Sequence, residues 1–176
     1  MAPILALTGF MGSGKTTVGR KAARALGWKF VDLDREVATV AGRSIPEIFS
    51  DEGEASFRRH ESETLRNILA SLSATDEATV IALGGGTITD PVVVEDLKEQ
   101  AVVVYLETDA TRAWARVASS DRPLAHDRHR FAALLESRRS VYEAVADHVV
   151  DTRGTSLRSI VDQVVAIAYE HQEEQA

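Results

Sequence analysis

Gly9-Phe10-Met11-Gly12-Ser13-Gly14-Lys15-Thr16 is the stretch on which the fold turns. It satisfies G-x-x-x-x-G-K-[ST] at every position. The pattern exists because main chain must come close to an anion. Gly9, Gly12 and Gly14 let the backbone wrap with its N–H groups turned inward. A helix starting at Lys15 adds the positive end of its dipole. Lys15 can reach the β and γ phosphates of a nucleotide, and the Thr16 hydroxyl can ligate magnesium. By composition the pattern arises by chance in about one chain of this length in a hundred. The bland alternative is a glycine-rich turn beside an exposed lysine. Context favours the phosphate loop. The apolar, strand-like run 4–8 precedes it, and residues 15–26 follow with helical period through Val18, Ala22 and Ala25, stopped by Gly27. The chain is read as a nucleoside-triphosphate binder.

Outward from the loop, strand and helix patterns alternate. Strands are expected at 29–33, 79–83, 101–106 and 148–150, and helices at 54–72, 111–118, 131–145 and 156–169. Ser44-Ile45-Pro46-Glu47 is a capping box with proline in the first turn, and opens a short helix. Asp90-Pro91 reads as an N-cap and first helical residue of a helix to Gln100. Residues 119–130 are charged without period and read as a loop, and the acidic tail after 169 as frayed. The strands are continuously apolar rather than alternating, which implies a parallel sheet covered on both faces. The expectation is a three-layer α/β/α sandwich around a parallel sheet of about five strands. Ligands in such folds sit at the carboxyl ends of the strands.

Composition narrows the function classes. The chain has 176 residues, 44% hydrophobic and 27% charged, which suits one domain spanning 1–176. It has no cysteine, so disulfides, thiolate metal sites and cysteine nucleophiles are out. A net charge of −7 argues against a nucleic-acid partner. No apolar run approaches the about 18 residues of a membrane span, and no basic region precedes the first apolar run, so a soluble, cytoplasmic protein is expected. The five histidines show no metal-ligand spacing.

The third strand ends in Gly84-Gly85-Gly86, not in a magnesium-binding aspartate, and no N-K-x-D base-reading motif follows. The acidic pair for that work is Asp32-Leu33-Asp34, after strand two. From Arg112 to Arg139 there are seven arginines against three acidic residues, a basic cluster suited to anionic ligands. These features suggest a small-molecule kinase.

Further motifs sharpen that reading. Phe30-Val31-Asp32-Leu33-Asp34 is followed by Ser44-Ile45-Pro46-Glu47-Ile48-Phe49, Gly53-Glu54-Ala55-Ser56-Phe57-Arg58-Arg59, Gly84-Gly85-Gly86, Arg122-Pro123-Leu124, and Arg138 four residues before Tyr142. In this order they closely resemble the shikimate kinase family. The resemblance spans most of the chain, and the run 30–59 is its most diagnostic part. It implies a P-loop NTPase fold like that of nucleoside-monophosphate kinases, with a substrate-binding segment at about 33–61 and a lid at about 119–130. It implies transfer of the ATP γ-phosphoryl group to the 3-hydroxyl of shikimate, in chorismate and aromatic amino-acid biosynthesis, by a monomer.

The resemblance also implies roles. Gly12, Ser13, Gly14, Lys15, Thr16, Thr17, Arg116 and Arg122 would hold ATP, with Arg116 stacked on adenine. Thr16 and Asp32 would hold Mg²⁺, Asp32 through water. Asp34 would bind the acceptor hydroxyls and take the proton of the attacking one. A carboxylate is a weak base, but phosphoryl transfer depends mainly on positioning and charge neutralisation. On pattern alone Asp34 could instead be an N-cap for a helix starting at Arg35. Arg58 and Arg138 would clamp the substrate carboxylate, each guanidinium matching it in bidentate fashion. Their neighbours Arg59 and Arg139 compete, and spacing to Tyr142 favours Arg138. Ser140 stands where the family often has proline, and Ala125 where it commonly has leucine. Gly84, Gly85 and Gly86 would bring backbone close to the acceptor, or form an ordinary strand-to-helix turn. Phe49 and Phe57 would wall its ring, and Glu61 would orient Arg58. Lys15, Asp34 and Arg122 would be the catalytic set, Arg122 bridging the transferring phosphoryl as the lid excludes water. Two alternatives stand beside this reading: a relative acting on another polyol such as gluconate, and a nucleotide-binding module without catalysis.

Overall fold

The computed structural model describes residues 2–75, 77–118 and 127–174. Five strands form the centre: β1 (Ile4–Thr8), β2 (Lys29–Asp32), β3 (Thr79–Ala82), β4 (Val102–Glu107) and β5 (His148–Asp151). All pair in parallel, in the order β2-β3-β1-β4-β5. The helices are α1 (Lys15–Leu26), α2 (Leu33–Ala41), α3 (Ile45–Ser73), α4 (Pro91–Gln100), α5 (Ala110–Val117), α6 (Arg128–Val145) and α7 (Leu157–Glu174), with a 3₁₀ turn at Thr87–Thr89.

The unbroken apolar strands follow from burial on both faces. In β1, Ile4 and Ala6 join one core, and Leu5 and Leu7 the other. In β4, Val103 and Tyr105 face the first core, and Val102, Val104 and Leu106 the second. The first core is roofed by α2 to α6, through residues such as Val37, Leu65, Leu97, Ala113 and Tyr142. The second is closed by α1 and α7, through Val18, Ala22, Ile160 and Val164. The expected three layers are therefore present. The chain winds to one side of β1 for β2 and β3, and to the other for β4 and β5. That reversal places the end of β1 at the switch point where such sheets bind ligands.

Local chemistry sets the element ends. Ser44 accepts from the Glu47 backbone while the Glu47 side chain accepts from Ser44, closing the capping box of α3. Gly53 breaks α3 at φ 81° and ψ 174°, which divides the capped opening turns from the long segment that follows, as the sequence implied. Three expectations need correction. Leu33, expected to end the second strand, instead opens α2, which Asp32 caps and which buries Leu33 and Val37. Arg128, His129 and Arg130, expected in the loop 119–130, are the first turn of α6, capped by Asp127. The tail expected to fray after 169 continues α7 to Glu174. Arg122 and the rest of the segment expected to be a lid, 119–126, lie outside the described residues.

Candidate active site

β1 runs directly into the phosphate loop. Gly9, Gly12 and Gly14 have φ of 142°, 81° and 104°, a region that side chains avoid. Room is also lacking: a Cβ on Gly12 would stand 2.5 Å from the Ala113 carbonyl oxygen, and one on Gly9 2.7 Å from that of Leu106. The loop is thus pressed between the end of β4 and α5. Helices α2 to α6 each start on a side-chain cap. Helix α1 starts on Gly14 with none, and has no acidic residue in its first turn. An anion there would meet neither a capping side chain nor an acidic first turn.

Lys15 folds over this loop, its Nζ donating to the carbonyls of Gly9 at 2.6 Å and Phe10 at 3.1 Å. Thr16 Oγ1 donates to Asp32 Oδ2 at 2.8 Å. Asp32 Oδ1 accepts from the Arg35 backbone at 3.4 Å. Asp32 is therefore the N-cap of α2, and Asp34 is not; it lies inside the first turn. A hydroxyl and a carboxylate in contact form an oxygen-only donor pair. It fits Mg²⁺, a hard cation that prefers oxygen ligands, and Thr16 and Asp32 would hold it. Arg116 on α5 donates to the Gly12 carbonyl at 2.8 Å, so its guanidinium rests on the phosphate loop. Ser13 is buried, while Thr17 lines the cleft. That cleft, about 350 Å³, is bordered by the loop, Asp32, Asp34, Gly85 and Arg116.

The opposite wall begins where β3 ends, and here glycine is required for space. A Cβ on Gly84 would overlap Glu61 Oε1 and lie 3.0 Å from Asp34 Oδ1. One on Gly86 would overlap the Arg58 guanidinium, and one on Gly85 would sit 3.4 Å from the Met11 nitrogen. The glycine run therefore touches both the phosphate loop and the side chains expected to hold an acceptor. Arg58 donates to Glu61 Oε2 at 2.6 Å and to Glu54 at 3.3 Å, and lies 5.1 Å above the Phe57 ring. Phe57 meets Phe49 with ring centroids 4.7 Å apart. Glu61 is 1% exposed, and its Oε1 accepts from Thr87 Oγ1 at 2.6 Å. Burial pushes its carboxyl above the usual range. Arg58 and Thr87 pull it down by less, and nearby Asp34 adds to the rise.

From α6, Arg138 donates to the Gly85 carbonyl at 3.2 Å, and the Tyr142 hydroxyl donates to the same oxygen at 2.5 Å. Burial pushes that hydroxyl well above its ordinary value, so it stays a donor. Arg139 turns elsewhere, to Glu107 at 2.5 Å and Glu136 at 2.9 Å, and Arg153 shares Glu107. The two adjacent arginines thus part, and Arg138 is the one at the glycine run. Sequence reasoning missed two contributors: Thr87, directly after the glycine run, and Tyr142, which served only to mark spacing.

Fold and site together define a P-loop kinase for a small acceptor, the glycine run after β3 adjoining the phosphate loop. The chain matches the family model for shikimate kinase over residues 11–168. It belongs to the shikimate kinase family, and it is an ATP-dependent phosphotransferase. Shikimate kinase of Salinibacter ruber is 41% identical over 92% of this chain and 82% of its own length. That of Streptomyces coelicolor is 44% identical over 87% and 88%. The solved shikimate kinase from Acinetobacter baumannii, in complex with shikimate, superposes with TM-score 0.86 at 34% identity, covering 97% of this chain and 95% of that one. No helix among the described residues is long and apolar enough to cross a membrane.

Proposed function

We propose that the two walls of the cleft divide the shikimate kinase reaction between them. That reaction moves the γ-phosphoryl group of ATP to the 3-hydroxyl of shikimate, giving shikimate 3-phosphate and ADP. The observation that carries the reading is contiguity: the glycine run lies against the phosphate loop at Gly85 and Met11, and against Asp34, Glu61 and Arg58 on its other contacts.

The backbone of Gly12, Ser13 and Gly14 and the start of α1 hold the phosphates. Lys15 exchanges loop carbonyls for phosphate oxygens. Thr16 and Asp32 would hold Mg²⁺, which when bound would neutralise phosphate charge. Thr17 and Arg116 border the nucleotide, and Arg122 of the lid meets the transferring group. Asp34 receives the acceptor hydroxyl and can take its proton. Arg58 and Arg138 bind the carboxylate, while Phe49 and Phe57 back the ring. The acceptor is thereby held by charge at one end and aimed at the phosphoryl group at the other, which is where positioning yields rate. The protein acts as a cytoplasmic monomer.

The test is ADP release from Mg²⁺-ATP with and without shikimate, with quinate and gluconate as controls. Dependence on shikimate, lost in Asp34→Asn, is expected. ATP binding without shikimate-dependent turnover would overturn the acceptor assignment and leave the phosphate loop standing.

A further inference from the structure

We propose that Thr87 is a positioning residue for the acceptor: its hydroxyl, bonded to Glu61, fixes the Arg58 guanidinium on the glycine run, so that loop and arginine form one rigid unit. This rests on the reading of Arg58 as a partner of the shikimate carboxylate.

The geometry is a closed ring. The Arg58 guanidinium packs on Gly86 so closely that a Cβ there would overlap it. Arg58 donates to one Glu61 oxygen at 2.6 Å, and Thr87 donates to the other at 2.6 Å. Thr87 is peptide-bonded to Gly86, and its own N–H returns to the Gly84 carbonyl at 3.3 Å. The ring therefore leaves the glycine run through one side chain and re-enters it at the next residue. Glu61 is 1% and Thr87 2% exposed, so solvent is poorly placed to replace a lost bond.

The hydroxyl is needed because Glu61 is a buried carboxyl near a second acid. Facing it are Arg58 from α3, which also serves Glu54, Asp34 from α2, and Thr87 from the 3₁₀ turn. From α6, Arg138 and Tyr142 stand on neighbouring Gly85. Among these, Thr87 is the neutral donor that favours the charged form. Without it, Oε1 is a buried acceptor lacking this donor, and Glu61 takes up a proton more readily. Once protonated, it no longer holds the guanidinium by charge.

Thr87→Val keeps the shape and removes the hydroxyl; Thr87→Ser keeps the hydroxyl. In the full chain, Thr87→Val is expected to raise KM for shikimate about tenfold at neutral pH, with kcat and KM for ATP changed by less than about twofold. The KM ratio to wild type should widen as pH falls from about 8 to about 6, and Thr87→Ser should restore wild-type KM. A purely structural role would lower the melting temperature without this selective, pH-dependent change. Should the valine variant not fold, Thr87→Ala removes the same donor and carries the same expectation. An unchanged KM for shikimate, or a rise that is independent of pH and not rescued by serine, overturns the proposal. Arg58→Ala separates the two readings. If it leaves KM for shikimate unchanged, the carboxylate role fails; if it raises KM while Thr87→Val does not, only the ring fails.

Discussion

The phosphate loop and the acceptor wall face one cleft but are made differently. The loop is eight consecutive residues that offer main chain from positive-φ glycines and a helix start without a side-chain cap, with Lys15 and Thr16 as its two working side chains. The acceptor wall is made of side chains from α2, α3 and α6, gathered on a glycine run that is there to leave room for them. A backbone cradle is written in one short stretch of sequence, even though β4 and α5 press on it. A side-chain cradle needs every contributing element to arrive in place, and it keeps its charges partly desolvated. Glu61 is the clearest case.

The contrast can be broken most severely at Lys15. Lys15→Met should lower kcat about 10²- to 10³-fold, as for loss of one preorganised donor to developing charge, while shikimate binding persists. Steady-state turnover and shikimate titration check both halves. A paired glycine test comes next. Gly12→Ala places a Cβ against Ala113 at an unfavourable φ, and Gly86→Ala displaces Arg58. The first should raise KM for ATP, and the second KM for shikimate, each about tenfold with the other KM little changed. Crossed effects would show that the walls are not separable.

A smaller effect lies in stability against pH. The native Glu61 carboxyl binds its proton more tightly than in the unfolded chain, where the value is near 4.5. Its contribution is therefore fully present below that ordinary value and lost as pH rises through the native one. Urea midpoints of wild type should fall relative to Glu61→Gln over that rise; parallel curves would contradict the burial effect. The smallest change is expected at Arg139. It is bound to Glu107 and Glu136 away from the glycine run, so Arg139→Ala should lower stability by about 1 kcal/mol and leave KM for shikimate unchanged. Arg138→Ala should do the reverse.

Legibility follows the same division. The bounds of α1 and the five strands were readable to within a residue, because periodicity, Gly27 and apolar runs are local signals. Helix α2 was legible only as an alternative start at Arg35; it begins two residues earlier, on an Asp32 cap, and buries Leu33 and Val37. The N-cap alternative for Asp34 fell to Asp32, whose two oxygens serve Thr16 and the Arg35 backbone at once, while Asp34 borders the cleft. Glu61 beside Arg58 followed from helical spacing, whereas Thr87 beside Glu61 joins residues 26 apart.

By itself, the sequence determined the phosphate loop, the alternation of strands and helices, the burial of both sheet faces and the family to which the chain belongs. Each of these depends on neighbours along the chain or on motifs in fixed order. The tertiary structure decided the strand order, the separate contacts of Arg138 on Gly85 and of Arg139 on Glu107 and Glu136, and the ring through Gly86, Arg58, Glu61 and Thr87. Those depend on which side chains meet when separate elements pack, and contacts across such separations leave no periodic mark in the chain.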